Sequence, residues 1–179
     1  MAKTALLVFE LQNDYLWEKR KEKFPYDTEK LIAAVNAAVG KYQDAGCDIV
    51  YLAQIFPDTP TNHLVFGFCI EQTEGAKLYS GLKIAAAQEG DAPLYFEKNV
   101  ADAFLSKHFA AYAAEQGYDT LLLCGIDENG SIAATAKSAL QQGIKVQILK
   151  DCTASRFPMN KLAPLRAELK AMGAEYISA

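Results

Sequence analysis

The sequence predicts an α/β fold: a three-layer sandwich around a doubly wound, mostly parallel sheet of about six strands. Two observations support this prediction. Short apolar runs alternate with longer amphipathic stretches, and a glycine follows each of four amphipathic stretches. Near-continuous apolar runs are typical of parallel strands, because helices cover both faces of such a sheet. Glycine is common directly after a helix, where the chain turns into the left-handed conformation.

The apolar runs predict strands at residues 4–10, 47–54, 93–97, 120–126, 144–149 and 174–178. The amphipathic stretches predict helices at residues 28–45, 101–116, 129–142 and 161–172, which are followed by Gly46, Gly117, Gly143 and Gly173. The chain has 179 residues, 51% of them hydrophobic. This length suits one domain, so residues 1–179 are expected to form a single domain. Residues 55–91 interrupt the alternation, and long excursions of this kind are often functional.

The composition disfavours several classes of protein. Acidic residues outnumber basic ones by 22 to 18, whereas a nucleic-acid partner requires a basic face. No apolar run approaches the about 20 residues that cross a bilayer, so no membrane partner is expected. The N-terminal segment lacks the long apolar stretch and the cleavage site of a signal peptide. The four cysteines form no CxxC pair and are expected to be reduced, which favours a cytoplasmic location.

Three polar residues at strand ends are the candidates for a functional site. In a doubly wound sheet, small molecules bind beyond the carboxyl ends of the strands. Glu10 and Lys98 each follow an apolar run, and Ser131 lies where residues 125–131 lead into a predicted helix. A carboxylate there can transfer protons, and the first turn of a helix can stabilise an oxyanion. The spacing alone favours a loop carboxylate at Glu10 and a surface lysine at Lys98, and an early-helix hydroxyl such as Ser131 is common.

Three segments in order resemble the isochorismatase-like hydrolases, a superfamily that includes nicotinamidases and N-carbamoylsarcosine amidases. The first is ALLVFELQNDY at residues 5–15, and the second is FEK at residues 96–98 with Ala103 and Phe104. The third runs from LCG at residues 123–125, through SI at residues 131–132, to DC at residues 151–152. The resemblance covers nearly the whole chain. It implies a hydrolase with an α/β fold that acts on a small molecule and forms a homo-oligomer.

The resemblance also implies site residues, with two of three catalytic positions altered. The family triad of Asp, Lys and Cys falls on Glu10, Lys98 and Ser131. The cis peptide bond of the family falls at 126–127. By the same resemblance, Ile126, Asp127 and Tyr15 are expected to contact the substrate.

Neither a metal nor another cofactor is expected. His63 and His108 have no His or Cys neighbours at metal-ligand spacing. The metal motif of the nicotinamidases, carried over by resemblance, falls on Gln54, Phe56 and Phe68. A phenyl ring cannot ligate a metal, so the sequence disfavours a nicotinamidase.

Serine in place of cysteine changes the chemistry of the family amidases, in which a thiolate attacks a carbonyl carbon. A cysteine has about a few per cent thiolate at pH 7, whereas a serine hydroxyl has no comparable ionised fraction. Ser131 therefore requires a well-aligned base. The extra methylene of Glu10 displaces its carboxylate by about an ångström, and such a shift can cost about 10²-fold in rate. The sequence therefore disfavours an efficient amidase.

Two functions remain open. The first is a hydrolase that acts on a small anionic metabolite without a cysteine nucleophile, as isochorismatases cleave a vinyl ether by proton donation from a carboxyl group. Glu10 would be that acid, Lys98 would bind the anionic substrate, and Ser131 would hold a carboxylate or water. The second is a pseudoenzyme or small-molecule binding protein on the same fold. The hydrolase is favoured, because a lysine and a carboxylate both remain.

Overall fold

The computed structural model describes residues 3–86 and 92–179. Within them, six parallel strands form one sheet in the order β3-β2-β1-β4-β5-β6. The strands are β1 (Thr4–Phe9), β2 (Asp48–Gln54), β3 (Leu94–Lys98), β4 (Thr120–Gly125), β5 (Lys145–Thr153) and β6 (Glu175–Ile177). The strand order reverses between β1 and β4, which is the position where ligands bind in such sheets. The predicted doubly wound parallel sheet is confirmed.

The α-helices of the described residues cover both faces of the sheet. They are α1 (Asn13–Leu16), α2 (Thr28–Asp44), α3 (Pro60–Val65), α4 (Lys107–Gln116), α5 (Ala133–Gln141) and α6 (Met159–Ala171). Helix α2 packs on one face, and helices α4, α5 and α6 contribute to the core on the other. None of the helices in the described ranges combines the length and the apolar character that a membrane span requires.

The central strand β1 is buried on both faces. Leu6 and Val8 belong to the core cluster beneath α2, and Ala5, Leu7 and Phe9 belong to the cluster on the opposite face. All five side chains are at most 1% exposed. A strand that is packed on both sides gives the residue that follows it a rigid support.

Several element boundaries differ from the predicted ones. Strand β3 includes Lys98, which pairs in register with Gln54, and β5 continues to Thr153 instead of ending at residue 149. The predicted helix at residues 101–116 is a 3₁₀ helix, Ala103–Leu105, followed by α4. Amphipathic spacing does not separate these two forms, because both place residues three apart on the same side.

The four predicted helix-ending glycines are confirmed. Gly46, Gly117, Gly143 and Gly173 all have a positive φ. At Gly117, with φ 62 and ψ 49, the backbone N–H donates to the carbonyl of Ala113 at 3.0 Å. Each glycine therefore ends one helix and turns the chain toward the next strand.

The excursion after β2 is held against the carboxyl ends of β1 and β2. It contains α3 and a 3₁₀ helix, Glu74–Ala76. The side chain of Gln12 is fully buried and donates to the carbonyls of Gln54 (2.9 Å) and Ala76 (2.7 Å). The excursion therefore forms one wall above the end of the sheet. Residues 87–91, the last part of the predicted excursion, lie outside the described residues.

Gly125 allows the end of β4 to lie directly against the end of β1. It pairs with Phe9 in register and has φ 106. A Cβ atom at this position would lie 2.3 Å from the carbonyl oxygen of Phe9. The next residue, Ile126, donates its N–H to that same oxygen at 3.1 Å. The loop after β4 is thereby placed beside Glu10.

We expect Gly125→Ala to lower the free energy of unfolding by about 3 kcal/mol or more, because a left-handed strain of about 1–2 kcal/mol adds to a backbone clash. Gly117→Ala is the matched control, since its Cβ would meet nothing within 4 Å. The control should lose only about 1–2 kcal/mol from the left-handed conformation. Urea unfolding measures both losses, and equal losses would contradict the close approach at Gly125.

Candidate active site

Glu10 stands directly after the central strand β1. Its backbone is left-handed, with φ 54, and its N–H donates to the carbonyl of Leu52 at 2.7 Å. The residue is only 6% exposed. The carboxylate is therefore held at the end of the sheet by rigid backbone on both sides.

The side chains of Glu10, Lys98 and Ser131 meet at this end of the sheet. The Nζ of Lys98 lies 2.5 Å from Oε1 of Glu10 and 3.0 Å from Oγ of Ser131. The Ser131 hydroxyl donates a hydrogen bond to the same Oε1 of Glu10. The extra methylene of Glu10 therefore leaves its carboxylate in direct contact with the Ser131 hydroxyl. The predicted cost of this methylene in rate stays a prediction.

The Lys98 ammonium is enclosed by acceptors, and its side chain is 0% exposed. Besides Glu10 and Ser131, it contacts Oε1 of Gln54 at 3.2 Å and the carbonyl of Val100 at 3.0 Å. An ammonium has three N–H donors, so these acceptors leave none for a substrate. The ammonium thus stands behind Glu10 and Ser131, and that Lys98 binds an anionic substrate stays a prediction.

Ser131 lies in an irregular turn, not in the first turn of a regular helix. A π-helical turn, Glu128–Ile132, precedes α5, and Gly130 within it has φ −129 and ψ −111. The predicted helix at residues 129–142 is therefore regular only from Ala133 onward. The irregular turn brings the hydroxyl of Ser131 to the carboxylate of Glu10.

A cavity of about 350 Å³ opens beside Glu10 and Ser131. Tyr15, Ile126 and Asp127 line it, and the peptide bond between the last two is cis. A cavity of this volume suits a small molecule. That these three residues contact a substrate stays a prediction.

Sequence reasoning missed the aromatic wall of this cavity. Phe56, Phe66 and Phe68, all from the excursion after β2, line it. The rings of Phe56 and Phe66 stack with their centroids 3.8 Å apart, and Phe68 meets both at steep angles. The signal in the sequence was three phenylalanines within one loop, whose common direction depends on how the loop folds.

Sequence reasoning also missed Arg156. Its side chain lines the cavity, is 46% exposed, and places Nε 3.9 Å from Oδ2 of Asp127. Among the described residues that line the cavity, Arg156 carries the one cationic side chain. Arg156 follows the carboxyl end of β5. Because the predicted strand ended at residue 149, Arg156 was not recognised as a residue near a strand end. An anionic ligand in this cavity would therefore pair with Arg156.

Glu128 is buried next to the site but is bound away from it. Its carboxylate accepts two hydrogen bonds from Arg166, at 2.7 and 2.8 Å, and one from Tyr176 at 3.2 Å. A bidentate arginine–carboxylate pair has a fixed geometry. This pair fastens the turn that carries Ser131 to α6 and β6.

Residues 4–179 match the isochorismatase domain. The chain belongs to the isochorismatase family. Among curated relatives, it is 26% identical to the uncharacterized isochorismatase family protein YddQ of Bacillus subtilis (strain 168) over 184 residues, which covers 97% of this chain and 86% of that protein. It is 31% identical to maleamate amidohydrolase of Pseudomonas putida over 86 residues, which covers 48% of this chain and 39% of that protein. This isochorismatase-family chain therefore matches less than half of the maleamate enzyme.

Solved structures of the family share the fold. The N-carbamoylsarcosine amidase from Thermoplasma acidophilum matches with a TM-score of 0.80 and 18% identity, over 98% of this chain and 96% of that chain. The pyrazinamidase of Pyrococcus horikoshii in complex with zinc matches with a TM-score of 0.77 and 22% identity, over 99% of each chain. These matches establish the architecture of the isochorismatase-family chain and leave its substrate open.

The residues at the metal positions implied by the resemblance do not fit a metal. The side-chain oxygen of Gln54 contacts the Lys98 ammonium at 3.2 Å. Phe56 and Phe68 offer no ligand atom, and their rings pack against each other with centroids 5.9 Å apart. Within residues 3–86 and 92–179, no cluster of His, Cys, Asp and Glu side chains has the makings of a metal site.

We expect Ser131→Cys to introduce a thiol that alkylates with iodoacetamide at least about tenfold faster than the native cysteines at neutral pH, since a neighbouring ammonium favours a thiolate. Burial raises the pKa of the Cys152 thiol to about 11 and also raises the pKa values of Cys47, Cys69 and Cys124. Peptide mapping by mass spectrometry measures the rates.

Ser138→Cys is the control for this experiment. The Ser138 hydroxyl also donates to a carboxylate, that of Asp102, but it lies outside the cavity. Its introduced thiol should alkylate more slowly than the thiol introduced at Ser131. Equal rates would contradict an activating effect of Lys98.

We expect Lys98→Met to lower the free energy of unfolding at pH 7 by about 3–5 kcal/mol, because it leaves the Glu10 carboxylate buried without its counter-charge. The double variant Lys98→Met/Glu10→Gln should recover most of this loss, since it buries no charge. Urea unfolding of both variants measures the difference. If the double variant is as unstable as the single one, the buried charge is not the cause.

Proposed function

We propose that this isochorismatase-family protein is a hydrolase of small anionic amides or esters, with Ser131 as the nucleophile. The supporting observation is the hydrogen bond from the Ser131 hydroxyl to the Glu10 carboxylate, which is ion-paired with Lys98. A serine hydroxyl becomes a useful nucleophile when an adjacent base takes its proton. The proposal keeps the predicted hydrolase without a cysteine nucleophile and gives that role to serine.

In the first half of the reaction, Oγ of Ser131 attacks the acyl carbon of the substrate. Its proton passes to the Glu10 carboxylate as the bond between Oγ and carbon forms. When the tetrahedral intermediate collapses, the bond to the leaving group breaks, and the proton on Glu10 passes to the leaving nitrogen or oxygen. The product of this half is an acyl ester on Ser131.

In the second half, water attacks the acyl ester and gives one proton to Glu10. The bond between Oγ and the acyl carbon then breaks, and the proton returns from Glu10 to Ser131. The substrate has gained one water molecule, and the three side chains have returned to their starting states. No step requires a metal or another cofactor.

Lys98 contributes charge and orientation to this reaction. Its ammonium lies 3.0 Å from Oγ of Ser131, where negative charge develops when the hydroxyl loses its proton. A fixed cation in a buried site stabilises such charge without reorganisation during the reaction. The same ammonium holds the Glu10 carboxylate at 2.5 Å, in contact with the hydroxyl that it must deprotonate.

The contacts of Glu10 favour this route over the proton donation predicted from the sequence. The carboxylate accepts from both Lys98 and Ser131, so it is arranged to receive a proton before it gives one. An acid that starts the reaction by protonating a vinyl ether would have to carry its proton beforehand. The arrangement therefore supports a base that becomes an acid later in the cycle.

The cavity supports a substrate that is anionic at one end and partly apolar. Arg156 supplies a partly exposed guanidinium, and such a group binds a carboxylate with two parallel hydrogen bonds. The phenylalanine wall suits the carbon skeleton between the two ends. The similar protein named maleamate amidohydrolase suggests monoamides of dicarboxylic acids as test substrates, since they join a carboxylate to a carboxamide.

The test uses maleamate and succinamate with the purified protein, with ammonia release as the readout. We expect turnover that falls about 10³-fold or more in Ser131→Ala and about 10²–10⁴-fold in Glu10→Gln. A reaction quenched within one turnover should show an acyl adduct on the peptide that carries Ser131. Ser138→Ala is the control, because this serine lies outside the cavity, and its activity should equal that of the wild type.

Each other outcome rejects the proposal in a different way. Turnover that survives Ser131→Ala but not Glu10→Gln would indicate proton transfer by Glu10 without a covalent intermediate. Saturable binding of these compounds without ammonia release would indicate a binding protein on the same fold.

A further inference from the structure

The carboxylate of Asp127 joins three segments that surround the cavity. Its Oδ2 accepts from the hydroxyl of Tyr26 at 3.0 Å and from the N–H of Arg156 at 3.1 Å. Its Oδ1 accepts from the hydroxyl of Ser155 at 2.6 Å and from the N–H of Asn129 at 2.9 Å. One side chain thus connects the loop ahead of α2, the turn after β4 and the loop after β5.

These contacts use the hydrogen-bonding capacity of Asp127. A carboxylate accepts at about four positions, and all of them are taken. Burial and the negative charge of Asp127 raise the pKa of the Tyr26 phenol, so this partner remains a protonated donor. Asp127 lines the cavity, but its oxygens have no free position for a donor on a substrate. Its contacts therefore support an indirect role, through the residues to which it is hydrogen-bonded.

Asp127 ties the turn that carries Ser131 to the loop that carries Arg156. Two backbone contacts strengthen this connection: the N–H of Glu128 donates to the carbonyl of Ala154 at 3.1 Å, and the N–H of Ala154 donates to the carbonyl of Gly125 at 3.0 Å. Those bonds hold the loop only as far as residue 154. The hydrogen bonds of Asp127 extend the connection to Arg156 itself.

We propose that Asp127 is a positioning residue that fixes the distance between Arg156 and Ser131, and thereby selects the length of the anionic substrate. This inference rests on the proposed function only in assuming that Ser131 and Arg156 contact the two ends of one substrate molecule. Oδ2 of Asp127 also lies 3.9 Å from Nε of Arg156. The carboxylate thus holds the backbone of Arg156 by a hydrogen bond and lies within ion-pair distance of its guanidinium.

The physical reason is the flexibility of an arginine side chain. Its long stem lets the guanidinium occupy many positions, so a defined reach requires restraints on both the backbone and the head group. Without Asp127, the Ser155 hydroxyl and the N–H of Arg156 both lose a partner. The guanidinium could then move to pair with ligands of different lengths, and the difference between their affinities would fall.

The experiment measures binding in a Ser131→Ala background, where hydrolysis cannot interfere. Calorimetric titrations use malonamate, succinamate and glutaramate, which differ by one methylene each. We expect one length to bind at least about tenfold more tightly than the others, as one methylene is commonly worth about 10–200-fold. Adding Asp127→Ala should reduce this preference to about threefold or less, and Asp127→Asn, which keeps an acceptor oxygen, should retain part of it.

Asp102→Ala is the matched control for loss of a structural carboxylate. Asp102 also accepts from a backbone N–H, that of Phe104 at 2.9 Å, and from a serine hydroxyl, that of Ser138, but it lies outside the cavity. Its removal should lower stability and leave the length preference unchanged. Arg156→Ala should weaken binding of all three compounds.

Two results would overturn the inference. One is an Asp127→Ala variant that binds every compound more weakly by the same factor, with the length preference intact. The other is a background protein that shows no length preference or binds none of the compounds. Because the readout is binding, a preference that depends on Asp127 would support the inference even in a protein whose wild type releases no ammonia.

Discussion

A carboxylate and an ammonium, buried against each other at the carboxyl ends of two strands, organise the site. Each charge alone would cost several kcal/mol in this surrounding, and only direct contact with further hydrogen bonds compensates. Glu10 and Lys98 meet this condition at 2.5 Å, with the Ser131 hydroxyl, the Gln54 amide and the Val100 carbonyl completing the set. Because each group satisfies another, none can move without leaving a buried charge or donor unpaired. The position of the Ser131 hydroxyl is therefore set by electrostatics as much as by the backbone.

The parallel sheet is what allows this pair to form. Parallel strands end at one edge, so the residues after β1, at the end of β3 and in the turn after β4 come together although they are far apart in the chain. Gly125 completes the approach, because a side chain there would meet the carbonyl of Phe9. The buried core on both faces of β1 makes this edge stiff, and a stiff edge keeps an ion pair within contact distance.

The residues that the resemblance places at the catalytic and metal positions of the family are consistent with the proposed function. In the proposed reaction, serine lacks the thiolate of cysteine and needs an aligned base, and the Glu10 carboxylate is in direct contact with its hydroxyl. Phe56 and Phe68, at the metal positions that the resemblance implies, offer no ligand atom and give the cavity an apolar wall. The Lys98 ammonium is enclosed by acceptors, whereas the guanidinium of Arg156 lines the cavity, and Asp127 accepts a hydrogen bond from the backbone N–H of Arg156. Under the proposed function, activity therefore depends less on an intrinsically reactive thiolate or metal ion and more on how the side chains of Ser131, Glu10 and Arg156 are placed.

The sequence by itself determined the parallel sheet, the helix-ending glycines, the strand-end positions of Glu10 and Lys98, and the place of Ser131 between a strand and a helix. These follow from local rules, since apolar runs and backbone conformation depend on near neighbours. The tertiary structure alone decided that acceptors enclose the Lys98 ammonium, that Phe66 and Arg156 line the cavity, and that Asp127 faces the loop after β5. The contact between Asp127 and Arg156 cannot be predicted from their separation along the chain. The pairing of β4 with β5 creates it, because hydrogen bonds between parallel strands bring their following loops side by side.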